Sequence, residues 1–217
     1  MKKQSILLLL IWCVIMSVHV LPFQAIVGYA AAKIVSSFLF LIMAVMLFRT
    51  PMERKELWTT VILFIILRLS FILTHPIGSD DIFRYLWDGK VQAASINPYL
   101  YTPDAPELSR LHTEQLPALI NQPHLQTMYF PLSEWIFFLS YLISGVNIIA
   151  YKILLFAAEM VTLFGLYKIL DHQKIDTKYL LLFFACPLMI FEYSIDAHVD
   201  LFGLMFLVLF LHQYLQG

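Results

Sequence analysis

The chain is short of charge. Only 13% of its 217 residues are Asp, Glu, Lys or Arg, where a soluble domain carries about 25%. It is also short of cysteine. Cys13 and Cys186 each lie inside an apolar run, which suits thiols in core or lipid better than a disulfide or a metal site. No excess of basic residues exists, since the formal net charge is −1, so nothing marks a nucleic-acid partner. Seven glycines are present and none builds a phosphate-cradling loop, so a nucleotide held by a P-loop or a dinucleotide fold has no support. No internal repeat and no soluble domain stands out.

What the chain has is hydrocarbon. It is 60% hydrophobic, with a mean hydropathy of +0.78. Several apolar runs reach roughly 17 to 23 residues, enough to cross about 30 Å of bilayer core. These features predict an all-α, polytopic transmembrane helical bundle of about six spans. A long outer loop carrying surface helices, about 76–146, interrupts it. The whole of 1–217 reads as one integral membrane domain, expected to be the front part of a longer protein.

The spans follow in order. Residues 5–22, after Met1-Lys2-Lys3, read as an uncleaved first span rather than a signal peptide, since no small-x-small cleavage site stands out. The second span is 26–48. The loop after it holds Arg49, Arg54 and Lys55, and such loops collect on the cytoplasmic side. The third span, 57–75, then runs outward and delivers Asp80 and Asp81 to the outer face. Arg68 lies within it. An arginine at that depth faces a partner or a wet cavity, or snorkels to the interface.

The segment 79–103 is the one long polar stretch with chemistry in it. Ser79 is placed to cap a helix over 82–94, with Asp80 and Asp81 in its first turn. Acids there are favoured by the helix dipole, so ordinary capping is one reading of the pair. Asn97-Pro98 ends that helix. Tyr99 and Tyr101 follow in an irregular aromatic stretch. Residues 129–144 either span or lie at the interface. The interruptions by Ser133, Glu134, Ser140 and Gly145 suit an interfacial helix. In that arrangement 147–170 is the next span and the loop with Lys168, Lys174 and Lys178 is cytoplasmic. Residues 196–200 then return to the side of Asp80 and Asp81, and the positive-inside rule favours this.

Glu159, inside 147–170, could pair with Arg68 or Lys152, or be protonated against a polar neighbour. The apolar stretch 179–215 is too long for one crossing, so it must break near the polar cluster at 196–200, beyond a kink at Pro187. If that cluster is helical, Glu192, Asp196 and Asp200 share a face; if extended, His198 and Asp200 share one. Two candidate ligands, His198 and Asp200, are weak grounds for a metal. A structural or substrate-binding role is the expectation for both.

Three stretches carry a resemblance: SDDIFRYLWDGKVQAASINPYLYTP (79–103), LPALINQPHLQTMYFPLSEWIFFLS (116–140) and CPLMIFEYSIDAHVD (186–200). Together they resemble bacterial polyprenol-phosphate-dependent glycosyltransferases of the GT-C superfamily, close to glycosyltransferase family 87 and its mannosyltransferase-like relatives. Phe130 and Cys186 depart from that pattern, standing where the family tends to have Pro and Asn. The resemblance implies transfer of a sugar, mannose or another hexose, from a polyprenyl-phosphate donor to an extracytoplasmic glycan or lipid acceptor. It implies an outer-loop Asp as general base, and Asp80 and Asp81 both fit that place. Substrate binding would fall to Arg84, Tyr85, Asp88, Lys90, Asn97, Tyr99, His198 and Asp200. The expected setting is a bacterial plasma membrane, with the N-terminus cytoplasmic and the catalytic loop outside. The partners are the bilayer, the donor lipid and the acceptor. No cofactor is expected, and a divalent metal is left open.

The chemistry has its own demands. A carboxylate must take the acceptor proton, and a cation must steady the leaving phosphate. Arg68, Arg84 and Lys90 are the candidate cations. Arg84 could instead form a local ion pair with Asp80 or Asp81, worth little at a wet surface. Tyr85, Trp87, Tyr99 and Tyr101 could stack on sugar or anchor the loop. The competing classes are a transporter or flippase, with Arg68, Glu159 and Glu192 lining a path, and a non-catalytic membrane scaffold.

Overall fold

A computed structural model describes residues 26–49 and 51–216. The expected first span, 5–22, and Cys13 lie outside the described residues. All regular structure among them is helical: α1 (Ile26–Arg49), α2 (Arg54–Phe71), α3 (Asp81–Ala93), α4 (Pro131–Ser144), α5 (Ile148–His172), α6 (Leu180–Phe184), α7 (Pro187–Met189) and α8 (Asp200–Gln216). Short 3-10 turns cover Pro106–Leu111 and Thr177–Tyr179, and α7 runs on as a π-helical turn over Ile190–Ile195.

Two helices, Val27–Arg49 and Ile148–His172, are long and apolar enough to cross a bilayer. A third crossing is available if Thr177–Phe184 and Pro187–Ile195, bent by 53°, form one broken span. Six spans are not shown among the described residues, and the first of those expected lies outside them. Helix α2 carries Arg54, Lys55, Glu56 and Arg68 in its 18 residues, and α8 has only 17. Helix α4 has 14 residues, or about 21 Å at 1.5 Å per residue, too short to span.

Local chemistry sets the boundaries. A reciprocal capping box between Glu53 and Glu56 starts α2. Asn147 caps α5 by accepting from the Ile149 and Ala150 amides. Helix α3 ends in a Schellman turn: Ser95 sits at φ 60°, its amide bonds the Gln92 carbonyl, and the Ile96 amide bonds that of Val91. Between α6 and α7 the chain breaks at Cys186, extended at ψ 122° before Pro187, as a residue ahead of proline prefers.

The main core joins α1, α2, α5, α6 and the π turn through residues such as Met43, Phe64, Phe71, Phe184 and Phe191. Helix α8 packs along α5. Helices α3 and α4 form a second layer with very close contact. A Cβ on Gly89 would lie 2.4 Å from the Phe137 carbonyl oxygen, so only glycine permits this approach. The layer is cemented by Tyr85, stacked on Phe137 at 4.6 Å and edge-on to Tyr129 at 5.1 Å.

The bundle has two chemically different ends. Phe48 meets Tyr179 and Trp58 meets Tyr167, which brings the α1–α2 turn beside the end of α5. Arg49, Arg54, Lys55, Lys168 and Lys178 belong to that end. At the other end Asp196 is bonded to the 77–78 backbone. Residues 196–200 therefore lie with Asp80 and Asp81, the arrangement expected if 129–144 does not span.

Candidate functional site

The site grows from the start of α3. Asp80 is the N-cap residue and exposed, and its side chain makes no capping bond. Ser79, expected to cap, accepts from the Asp81 amide at 3.2 Å. The helix thus opens on Asp81, whose carboxylate is held by side chains from two distant segments. Asn121 Nδ2 donates to Oδ1 at 3.0 Å. His198 Nδ1 lies 3.5 Å from Oδ2.

His198 reaches further. Its Nε2 lies 3.3 Å from Glu192 Oε2, and Glu192 Oε1 is paired with Lys33 of α1. The last turn of the π helix creates this geometry. The His198 amide closes on the Glu192 carbonyl at 3.0 Å, and Ala197 turns through φ 62°. Neither simple expectation for the cluster holds. Glu192 and His198 come together, while Asp200 is exposed at the first turn of α8.

Asp196 fixes the floor of the site. Tyr29 donates its hydroxyl to Oδ2 at 2.5 Å. The Ile77 and Gly78 amides donate to Oδ1 at 3.1 and 2.7 Å. A Cβ on Gly78 would fall 2.5 Å from that carboxylate and 2.6 Å from the Tyr29 ring, so glycine is required here. One buried carboxylate thereby ties α1, the loop ahead of α3 and the π turn together.

Electrostatics follows from these contacts. The bond to His198 is the main force holding the Asp81 carboxyl below its ordinary range, with burial opposing it. In return, the bond to Asp81 raises the His198 imidazole above its usual value. The two shifts act together, each favouring the charged form of its group. Glu192, Asp196 and His198 each offer one ligand atom, and these lie within 4.8 Å of one another. The chain's own donors, Lys33, Tyr29 and the 77–78 amides, already occupy the two carboxylates. The pairing of His198 with Asp200 is not formed.

The other predicted residues divide in two. Arg84 donates through Nε to both oxygens of Asp88 at 3.0 Å and through Nη1 to the Leu125 carbonyl. Its ion pair is therefore with Asp88, one turn along α3, and not with Asp80 or Asp81. Asp88 and Tyr85 are buried between α3 and its neighbours. Lys90 caps the Leu111 carbonyl. Asn97 and Tyr99 are exposed, with Asn97 Oδ1 accepting from the Tyr99 amide and the Tyr99 hydroxyl bound to the Tyr129 carbonyl.

Arg68 is committed as well. It is 1% exposed, its Nε is 2.7 Å from Glu159, and its guanidinium lies 3.9 Å over the Phe184 ring. Lys152, the other possible partner of Glu159, donates instead to the Phe71 and Thr74 carbonyls.

Tyr29, Lys33, Asn121 and Glu134 were missed from sequence. Lys33 had a signal, a lysine inside an apolar span. Asn121 lies in the quoted 116–140 stretch but nothing in its surroundings ties it to Asp81. Glu134 is buried on α4, bonded by Thr127 and Gln92 and close to Asp88. Burial, reinforced by the Asp88 charge, pushes its carboxyl up to about 8.

An acid-rich polar site at one end of a helical bundle that includes bilayer-length helices defines the class: a helical membrane protein with a polar site at its edge. The chain belongs to the MptA_B family, described as alpha-(1->6)-mannopyranosyltransferase, N-terminal domain, whose model matches residues 3–216. This makes it a glycosyltransferase of a mannosyltransferase family. No curated protein and no solved structure matches it.

Proposed function

We propose that the protein moves a mannosyl unit from a polyprenyl-phosphate donor to a hydroxyl of an extracytoplasmic glycan or lipid acceptor, on the GT-C plan. The observation that carries this reading is the meeting of Asp81 with His198 at the mouth of the bundle. It sets a fixed carboxylate beside an imidazole, whose charged form that carboxylate favours, where a lipid-borne donor would present its head. The family description speaks of α-(1→6) transfer, so the favoured acceptor group is the primary hydroxyl of a mannopyranose.

In this reading Asp81 is the general base. Asn121 and His198 hold it in one orientation, whereas Asp80 is exposed with no partner among the described residues. The acceptor oxygen attacks the anomeric carbon. The bond from that carbon to the phosphate oxygen breaks, and polyprenyl phosphate leaves with the electron pair. The acceptor proton passes to Asp81 and then to water. His198, with Lys33 behind Glu192, supplies the nearest positive charge for the leaving phosphate. Arg68 and Arg84 are committed to carboxylates and act through structure.

The basic end, with Arg49, Arg54, Lys55 and Lys168, belongs on the cytoplasmic side by the positive-inside rule. The Asp81 site then faces outward, in a plasma membrane. Six spans remain the proposed count for the complete bundle. The test is transfer of labelled mannose from a polyprenyl-phosphate donor in proteoliposomes. Asp81→Asn should lose about 100-fold or more in rate, the lower range for a general base, with insertion intact and Asp80→Asn less affected. Undiminished transfer by Asp81→Asn would sink the assignment.

A further inference from the structure

A recess lies at the opposite end of α3 from Asp81. It is a groove of about 400 Å³ between the end of α3 with its following turn and the first turns of α4. The Schellman turn at Ser95 swings the chain away from α3 and opens this space. Its walls combine aromatic faces with polar groups. Trp135 is 66% exposed and Tyr99 37%, and Phe138 stands beside them. Ser95 and Asn97 supply the polar rim, both exposed. Asn97 uses Oδ1 for the Tyr99 amide, and its Nδ2 makes no hydrogen bond among the described residues.

The wall is also stiff. The Tyr99 hydroxyl is anchored to the Tyr129 carbonyl at 2.7 Å. Gln92 is pinned to Glu134 through both the backbone carbonyl and the carboxyl, at 2.8 and 2.9 Å. A bare hydrocarbon chain would leave the amide of Asn97 and the Ser95 hydroxyl unsatisfied. A sugar ring satisfies them, laying an apolar C–H face on Trp135 or Tyr99 and turning its hydroxyls to the amide and hydroxyl groups.

We infer that this groove binds an internal hexose of a glycan acceptor, a few units away from the hydroxyl that reacts at Asp81. The inference rests on the glycan-acceptor form of the proposed function. Spacing supports it. Asp81 and Gln92 are eleven positions apart on one helix, roughly 16 Å at 1.5 Å per residue, the span of a short oligosaccharide. The groove gives the enzyme a preference for longer chains and leaves the chemical step to the other end of α3.

Two measurements test it. The first is direct binding of an α-(1→6)-linked mannotetraose to the protein in lipid nanodiscs, by saturation-transfer NMR and calorimetry. Trp135→Leu keeps an apolar residue at this exposed position and removes the aromatic face. It should weaken binding about tenfold, and Asn97→Ala should weaken it in the same direction. Equal affinity in wild type and both variants overturns the inference and leaves Trp135 as a bilayer anchor. Absence of any binding by wild type overturns it too.

The second is the ratio of kcat/KM for tetraose to that for the monosaccharide glycoside. Trp135→Leu should lower that ratio, chiefly through KM for the longer acceptor. An unaltered ratio speaks against the groove. If no transfer is seen with any acceptor, the proposed function fails. The binding result still decides the groove separately.

Discussion

The ion pair of Arg68 and Glu159 gives a sharp prediction. The side chains are 1% and 2% exposed and meet at 2.7 Å. Arg68 also donates through Nη2 to the Phe184 carbonyl at 2.8 Å. Removing one member of such a pair strands a charge, typically at a cost of about 3–5 kcal/mol. The two deletions should behave differently. A guanidinium cannot shed its proton, so Glu159→Gln carries its penalty at every accessible pH. A lone carboxyl can neutralise itself. From an ordinary value near 4.3, taking up a proton at pH 7 costs about 3.7 kcal/mol, and about 1.4 kcal/mol less for each unit of acidification. Arg68→Met should therefore recover about 2 kcal/mol between pH 7 and pH 5.5, while Glu159→Gln should not. The double variant Arg68→Met/Glu159→Leu should be far less destabilised than the sum of the singles. Equilibrium unfolding in lipid nanodiscs at both pH values reads all three. Single variants each within about 0.5 kcal/mol of wild type, or an Arg68→Met penalty indifferent to pH, would refute the reasoning.

Three further outcomes follow from the polar layer. The Asp81–His198 attraction is present only while Asp81 is ionised and His198 is charged. It fades as pH falls through the lowered value of Asp81 and as pH rises through the raised value of His198. His198→Gln should therefore flatten the neutral-to-alkaline part of the stability–pH curve, with an amplitude under about 1 kcal/mol because the pair is partly exposed. Glu134 behaves in the opposite sense. Its carboxyl is raised to about 8, so the folded state holds the extra proton and stability falls as pH rises from its ordinary range toward 8; Glu134→Gln should remove that slope in a melting series. Gly89→Ala should cost about 2 kcal/mol or more, because the new Cβ meets the α4 backbone at Phe137 and cannot be absorbed by a rotamer change; circular dichroism melting would show it.

The helices were legible because apolar length and capping signals are local. The ends of α3 and the breaks at Pro187 and near residue 196 could be placed from neighbouring residues. The partner of Arg68 could not, since Glu159 lies 91 positions away and Lys152 was an equal choice on paper. The site was legible in its residue types but not in its pairings. Arg84 could look back three or four positions to Asp81 or Asp80, or forward four to Asp88, all within helical reach. Burial decided for Asp88, since a carboxylate that is 2% exposed needs an adjacent cation. Glu134 read as an interruption of an apolar run and proved to be part of a buried acid pair. Its partners, Thr127 and Gln92, converge only when α4 folds onto α3.

The break near residue 196 explains why the chemistry sits where it does. An uninterrupted helix through 187–216 would carry Asp196 and His198 along a lipid-facing axis, with two polar groups in hydrocarbon and no partners. The π turn over Ile190–Ile195 ends with the Asp196 amide on the Phe191 carbonyl, Ala197 turns through φ 62°, and the His198 amide closes onto the Glu192 carbonyl as the chain leaves the helix. Asp196 can then reach the bare amides of Ile77 and Gly78, donors that no helix uses. That bond draws the start of α3 to the bundle and leaves Asp81 within 3.5 Å of His198. A carboxylate buried for structural reasons thus places a second, partly exposed carboxylate beside an imidazole. Replacing Asp196 by Asn keeps two acceptor lone pairs and much of the fold, yet weakens the bond to each amide. The Asp81–His198 distance is therefore the quantity that should respond to it, before any loss of helix.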